Sequence, residues 1–361
     1  MQAGRATGFD YLRLILATAV LCSHSIDISY GIRFAVHLES GPFRPLIAAL
    51  VPMFFAVSGF LVAGSLDRCR SVVSFMGLRA LRILPALAFM TVLAAFVLGP
   101  LLTRLSLGAY VSDGLLPRYL LNMTGDIQYL LPGLFEDNPW ARTVNAQLWT
   151  LPFEMMSYIT LAALAVIGIH RRPKVFVLTV IACNLGLAAW RLMTGAGASA
   201  SAGLPALPVV LTFLYGVIFH LYRDQIRYSP RIGIAAGVLT FVLLLNSATD
   251  YLVPLPAAYV TVWLGLMRPR QTLLTRSGDY SYGIFLLGFP IQQAVTQILG
   301  PAGHQWYWNL AVALPATFAV AFISWHLVEK PALNLRGPLK RLEDRLLSGS
   351  AAKSGQMSAK S

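Results

Sequence analysis

Charge is scarce in this chain. Only 12% of its 361 residues are Asp, Glu, Lys or Arg, about half the ~25% share of a soluble domain. With 57% hydrophobic residues and a mean hydropathy of +0.65, one core cannot hide the apolar surface, so lipid must be the solvent for most of it. A soluble globular enzyme is excluded. Acidic residues are the rarer sign, 15 against 28 basic. A basic patch would suit nucleic acid, but these basic residues fall between apolar stretches, and no nucleic-acid partner is expected. Cysteine is nearly absent. Cys22, Cys69 and Cys183 are scattered, which fits neither a disulfide framework nor a metal spacing, so no metal is expected. The first apolar stretch has full spanning length and no small-residue cleavage site, and reads as a retained helix rather than a cleaved signal. No internal repeat is visible, which weakens an inverted-repeat transporter reading.

What the chain has is long apolar runs. A spanning helix needs about 20 mostly apolar residues. Ten stretches qualify as candidates: 8–28, 45–66, 81–102, 148–169, 174–193, 204–222, 232–249, 251–267, 281–299 and 307–328. The seventh and eighth are separated by little more than Ser247 to Asp250 and could form one re-entrant unit. With the N-terminus in the cytoplasm, 22 basic residues fall on inside segments and six outside, the bias expected of cytoplasmic loops. The expected fold is therefore all-α and integral to the membrane, with about ten transmembrane helices and both termini cytoplasmic. Residues 1–335 form the membrane domain. Residues 336–361 form a basic cytoplasmic tail whose last part, from about 346, lacks an apolar period and reads as disordered. The one large extracytoplasmic loop, about 103–147, carries Asp113, Asp126, Glu136, Asp137 and Trp140. That is enough polar and aromatic material to contact a carbohydrate, and a loop that merely packs on the bundle is an equal alternative. Asn122-Met-Thr matches a glycosylation sequon and is taken as chance.

Ionisable residues inside a span default to a functional reading because hydrocarbon makes them costly. His24 lies deep in the first span. Arg13 precedes it by eleven positions, roughly 16 Å along a helix, so the two are not a local pair. An imidazole, titrating near about 6.5 in water, suits the removal of a proton from a hydroxyl nucleophile; a packed, hydrogen-bonded histidine is the bland alternative. Arg79 and Arg82 share a helix face at the inner mouth of the third span, where guanidinium groups match phosphate oxygens or simply anchor the helix. Glu154 enters the fourth span from outside, about 9 Å deep. A carboxylate buried there needs a partner. His24, about 22 Å from the inner face, lies at a compatible depth and is the candidate.

Three further stretches are less pointed. Ser58 and Gly59 permit close helix approach. Asp279 or Ser281 is placed to cap the ninth span, with Tyr280 and Tyr282 in an interface belt. Glu329 is expected to pair with a loop arginine, and Pro331 to stop the last helix.

In order, Arg13 through His24, Phe-Phe-x-x-Ser-Gly-Phe-Leu (Phe54 to Leu61), Arg-x-x-Arg-x-x-Pro (Arg79 to Pro85), Trp149-Thr-Leu-x-x-Glu154, Ser281-Tyr-Gly-Ile-Phe and Glu329-x-Pro331 resemble the acyltransferase-3 family of integral membrane acyltransferases. The resemblance covers roughly residues 8–335. It implies transfer of an acyl group, most often acetyl, from cytoplasmic acyl-coenzyme A to a hydroxyl of an extracytoplasmic glycan or lipid-linked glycan at a bacterial inner membrane. It implies that His24 is catalytic, that Glu154 belongs to the reaction centre, and that Arg13, Arg79 and Arg82 serve the acyl donor. Ser58, Trp149 and Tyr282 are candidates for substrate contact or for structure. One departure stands out: Gly288 occupies a position where many members carry histidine, so no catalysis is assigned there. The rival reading is a transporter or flippase for a glycan or lipid with His24 and Glu154 as a proton relay. A non-enzymatic subunit of a glycan-assembly complex is a third.

Overall fold

A computed structural model of the chain describes residues 6–168, 172–195, 205–338 and 343; most of the expected tail lies outside the described residues. Apolar helices occupy all ten expected stretches. They are α1 (Gly8–Tyr30), α2 (Arg44–Leu66), α3 (Val72–Leu102), α4 (Ala146–Val166), α5 (Pro173–Thr194), α6 (Ala206–Leu221), α7 (Pro230–Leu244), α8 (Pro254–Gly265), α9 (Ser281–Leu299) and α10 (Trp306–Ser324). Seven of these segments, α1 to α5, α9 and α10, have the length and hydropathy to cross a membrane. The other three have 16, 15 and 12 residues, or about 24, 22 and 18 Å, short of a core about 30 Å thick. Among the described residues, seven helices are therefore long and apolar enough to span. A 3-10 turn, Ser247–Leu252, divides α7 from α8.

Helix boundaries follow caps rather than hydropathy. α3 begins at Val72, not at 81, because the Ser71 hydroxyl accepts the Ser74 N–H at 3.1 Å and starts a helix whose first turns are amphipathic. That extra length puts Arg79 and Arg82 on regular helix. Pro331 does not stop the last helix. A π-turn at Trp325–Glu329 widens the backbone just before it, and Lys330–Asn334 continues helical. A proline ring clashes with the carbonyl four residues back in a regular helix, and a wider turn relieves that clash.

α9 is the axis of the bundle, nearly three quarters buried, and packs against α1 and α10. α2 and α6 approach most closely of all: a Cβ on Gly59 would lie 2.0 Å from the Phe213 carbonyl, and one on Gly216 would lie 2.4 Å from that of Ala56. Gly59 thus meets the small-residue expectation. The first turns of α1 and the last turns of α10 lie at one end of the bundle, called here the Gly8 end; Tyr30 marks the other.

The segment between α3 and α4 is an ordered cap over the Tyr30 end. It carries short helices Leu107–Ser112 and Leu115–Leu120, and α9 staples its later part. Asn138 donates to the Gln293 side-chain oxygen at 2.7 Å, Gln293 donates to the carbonyls of Trp140 and Thr143, and Gln147 donates to the Leu286 carbonyl. Asn122 is fully buried. Its amide donates to the Tyr119 and Gln128 carbonyls and accepts the Gln128 N–H, so the sequon has no free side chain to modify.

Candidate active site

At the Gly8 end α1, α3 and α9 converge on one carboxylate. Asp279, just before α9, accepts from Arg13 of α1 and, at 2.7 Å, from Arg82 of α3. Its second oxygen accepts the Ser281 hydroxyl at 2.7 Å. Asp279 and Ser281 therefore do not cap α9; they bond each other and the arginines. Burial works to raise the Asp279 carboxyl, but the two guanidinium groups hold it well below the ordinary carboxylate range. The other face of Arg82 lies 3.8 Å from Glu329 on the π-turn of α10. Ser324 donates to Glu329 at 3.0 Å. Glu329 thus pairs with a helix arginine, not a loop arginine. Arg82 also lies over the rings of Tyr282 and Trp325, at 5.5 and 6.0 Å. Among the described residues the buried Tyr282 hydroxyl has no hydrogen-bond partner.

Arg79 differs from its neighbour. Among the described residues no carboxylate lies within ion-pair distance of it. It donates to the Ser65 hydroxyl at 3.1 Å, and it lies 5.9 Å from the Tyr158 ring. Tyr158 donates to Glu154 and lies 3.1 Å from the Ser58 hydroxyl. Ser58 is therefore part of a polar chain running from Arg79 through Tyr158 to Glu154, not only a small residue. The expected His24–Glu154 pair is not formed: no hydrogen bond joins them, and Tyr158, one helical turn along α4, is the partner instead. Residues four apart share a helix face, so the nearer group captured the carboxylate.

His24 stands apart. Its half-buried imidazole makes no hydrogen bond among the described residues and meets Phe289 edge-on at 5.3 Å. The backbone around it is fixed: Gln292 of α9 donates to the Leu21 carbonyl at 2.7 Å and to the Ser25 hydroxyl at 2.6 Å, one turn before and one residue after. Gly288 faces α1 here; a Cβ on it would lie 3.1 Å from Leu21. Phe289 in turn meets Trp140 of the cap edge-on at 5.4 Å.

Two cavities flank this column of residues. One of about 330 Å³ opens at the Gly8 end beside Asp279, Ser281, Arg276 and Lys330. The other, about 620 Å³, lies at the Tyr30 end under the cap and is lined in part by Trp140 and Trp149. Trp149 is 36% exposed. Of the five cap residues singled out in the sequence, only Trp140 reaches this cavity. Asp113 caps the Leu115 N–H, and Asp137 pairs with Arg104. Sequence reasoning underrated Asp279 and Glu329. The available signal was two acidic residues beside spans in a chain with few acids, facing arginines that also needed partners.

The arrangement defines a membrane-embedded helical protein with an arginine–carboxylate cluster at one end and an unpartnered histidine toward the other. Residues 7–326 match the acyltransferase 3 family, described as an acyltransferase domain, and the chain belongs to that family. Nodulation protein 10 of Rhizobium leguminosarum bv. viciae is 29% identical, over 94% of this chain and 96% of the relative. An O-acetyl transferase of Shigella phage Sf6 is 25% identical, over 93% and 98%. Acyltransferase MdmB of Streptomyces mycarofaciens is 26% identical, over 90% and 91%. No solved structure matches the chain. The protein is an integral membrane acyltransferase.

Proposed function

We propose that the protein moves an acyl group, acetyl in the simplest case, from acyl-coenzyme A to a hydroxyl of an extracytoplasmic glycan or lipid-linked glycan, in a bacterial inner membrane with the Gly8 end and both termini facing the cytoplasm. The observation that carries this reading is the His24 imidazole. Gln292 holds the backbone around it, its ring makes no hydrogen bond among the described residues, and Phe289 lies between it and the aromatic wall of the larger cavity. A base that must accept a proton from an incoming hydroxyl needs a free nitrogen.

In this reading the acceptor enters from the Tyr30 end and the donor from the Gly8 end. Arg79, with no carboxylate on it, is the guanidinium best placed for a donor phosphate. Arg13 and Arg82 are shared with Asp279 and hold the donor mouth in shape. As the acceptor hydroxyl attacks the thioester carbonyl, a C–O bond forms and His24 takes the hydroxyl proton. The C–S bond then breaks and the proton passes to the departing thiolate. Glu154, linked to the arginines through Tyr158, lies between the two ends and contributes negative charge to the reaction centre. The name of the phage relative, an O-acetyl transferase, supports acetyl and oxygen as the transferred group and acceptor atom.

Proton NMR and mass spectrometry of purified surface polysaccharides test the reading. The strains compared are wild type, a gene deletion, and the deletion complemented with His24→Ala at matched membrane abundance. An O-acyl signal lost in both mutants is expected. A signal retained by His24→Ala would overturn the role of His24, and glycans unchanged by the deletion would overturn the acceptor class.

A further inference from the structure

We infer that the cavity of about 620 Å³ at the Tyr30 end is the acceptor subsite, and that it takes a sugar ring stacked on the indole of Trp140. The inference rests on the acyl-transfer reading for what happens to the sugar, but not for whether the sugar binds.

The cavity has the size of a small-molecule site, about 300–1,000 Å³. Its walls combine three aromatic side chains, Tyr129, Trp140 and Trp149, with the polar groups of Arg118, Gln128 and Thr143. Tyr129 is 37% and Trp149 36% exposed, so ring surface faces the space. The electron-rich face of an aromatic ring suits the C–H face of a pyranose, while amide, hydroxyl and guanidinium groups suit its hydroxyls. No acidic residue lines the cavity but Arg118 does, which admits neutral and anionic sugars and disfavours cationic ones. A lipid chain would want walls without these polar groups.

Position adds a second argument. Trp140 touches Phe289, and Phe289 touches His24. A sugar on Trp140 is thus linked to the imidazole through two edge-on ring contacts, Trp140 to Phe289 at 5.4 Å and Phe289 to His24 at 5.3 Å. The Trp140 backbone is fixed independently of its ring, because its carbonyl accepts from Gln293. The indole is therefore presented by a rigid cap, the arrangement that spares a binding site ordering cost. Trp140 acts here as a binding residue and takes no part in bond making.

The test uses the full chain in nanodiscs, acyl-coenzyme A, and surface glycan purified from the deletion strain. Trp140→Ala is expected to raise the half-saturating glycan concentration about tenfold or more, with that for acyl-coenzyme A moving less than about twofold. Trp140→Phe, which keeps an aromatic face, is expected to recover most of the loss. Tyr129→Ala guards against misfolding, since the Val144 N–H bonds the Tyr129 backbone oxygen and not its ring. It is expected to raise the same quantity by a smaller factor. Normal glycan saturation in both alanine variants would overturn the inference. Tryptophan fluorescence quenching by the same glycan reads binding without chemistry. Quenching that weakens in Tyr129→Ala, in a protein that transfers nothing, would keep the subsite and sink the acyl-transfer reading. Wild-type fluorescence unchanged by glycan, together with brominated-phospholipid quenching that falls in Trp140→Phe, would assign the cavity to a lipid chain and sink the subsite.

Discussion

The two ends of the bundle treat charge in opposite ways. At the Gly8 end, Arg13, Arg82, Asp279 and Glu329 come from four separate places in the chain and lock onto one another. Toward the Tyr30 end, the backbone around His24 is held by Gln292, yet its imidazole makes no hydrogen bond among the described residues. Buried ionisable groups in hydrocarbon are costly unless paired. The first end answers that cost with mutual satisfaction, which fixes helix positions. The second leaves one imidazole without a hydrogen bond among the described residues. A side chain whose hydrogen bonds are complete has no capacity left for a substrate; one kept rigid and empty does.

The sharpest way to break this contrast is to remove each group and ask what is lost. His24→Ala is expected to reduce acyl transfer by about 10²–10⁴-fold, the usual range for a general base. Thermal unfolding of the purified protein should scarcely move, because the ring bonds nothing. A large drop in the unfolding temperature with activity only mildly affected would place His24 with the structural groups instead.

Arg82→Ala should show the reverse pattern. It strips one partner from Asp279 and the arginine that faces Glu329, leaving carboxylates in a partly buried site. Breaking such a pair costs about 3–5 kcal/mol. The expected outcome is a loss of folded protein in the membrane, read by fluorescence-detection size exclusion, before any effect on chemistry is measurable. Normal folded yield with lost activity would move Arg82 from scaffold to donor contact.

These roles were only partly legible in the sequence. The positions of the apolar helices were, because hydropathy is local and lipid imposes a minimum length. His24, Arg13 and the arginine pair stood out because charge is rare in this chain. The pairing was not legible. Asp279 lies 266 residues from Arg13 and 197 from Arg82, and local periodicity carries no information about contacts at that range. Glu154 shows the same limit from the other side. Depth alone matched it to His24, whereas Tyr158, one turn away on its own helix, is what it bonds. Pro331 misled for a different reason: the π-turn ahead of it has no signature in composition.

Glu154 lies between the two ends and tests where one regime gives way to the other. Glu154→Gln keeps an oxygen that can accept from Tyr158 but removes the negative charge. A reaction-centre role predicts a fall in turnover of about 10–100-fold with the folded yield retained. Unchanged turnover would leave Glu154 as a helix-packing group belonging to the Gly8 end.

The smallest expected effect concerns pH. Asp279 is held below the ordinary carboxylate range by Arg13 and Arg82. A depressed carboxyl contributes stability that is complete above its unfolded value, about 3.9, and is lost as pH falls toward its folded value. Wild type should therefore be more stable than Asp279→Asn by a constant margin from pH 8 to pH 5. Below that the margin should narrow, by under about 1 kcal/mol down to pH 3.5, because only the wild type has a proton to take up on unfolding there. The difference between the two proteins isolates Asp279 from other carboxylates that titrate in the same window. A margin that widens as the pH falls would mean that Asp279 is not the anion of the cluster, and that Glu329 carries the charge the arginines require.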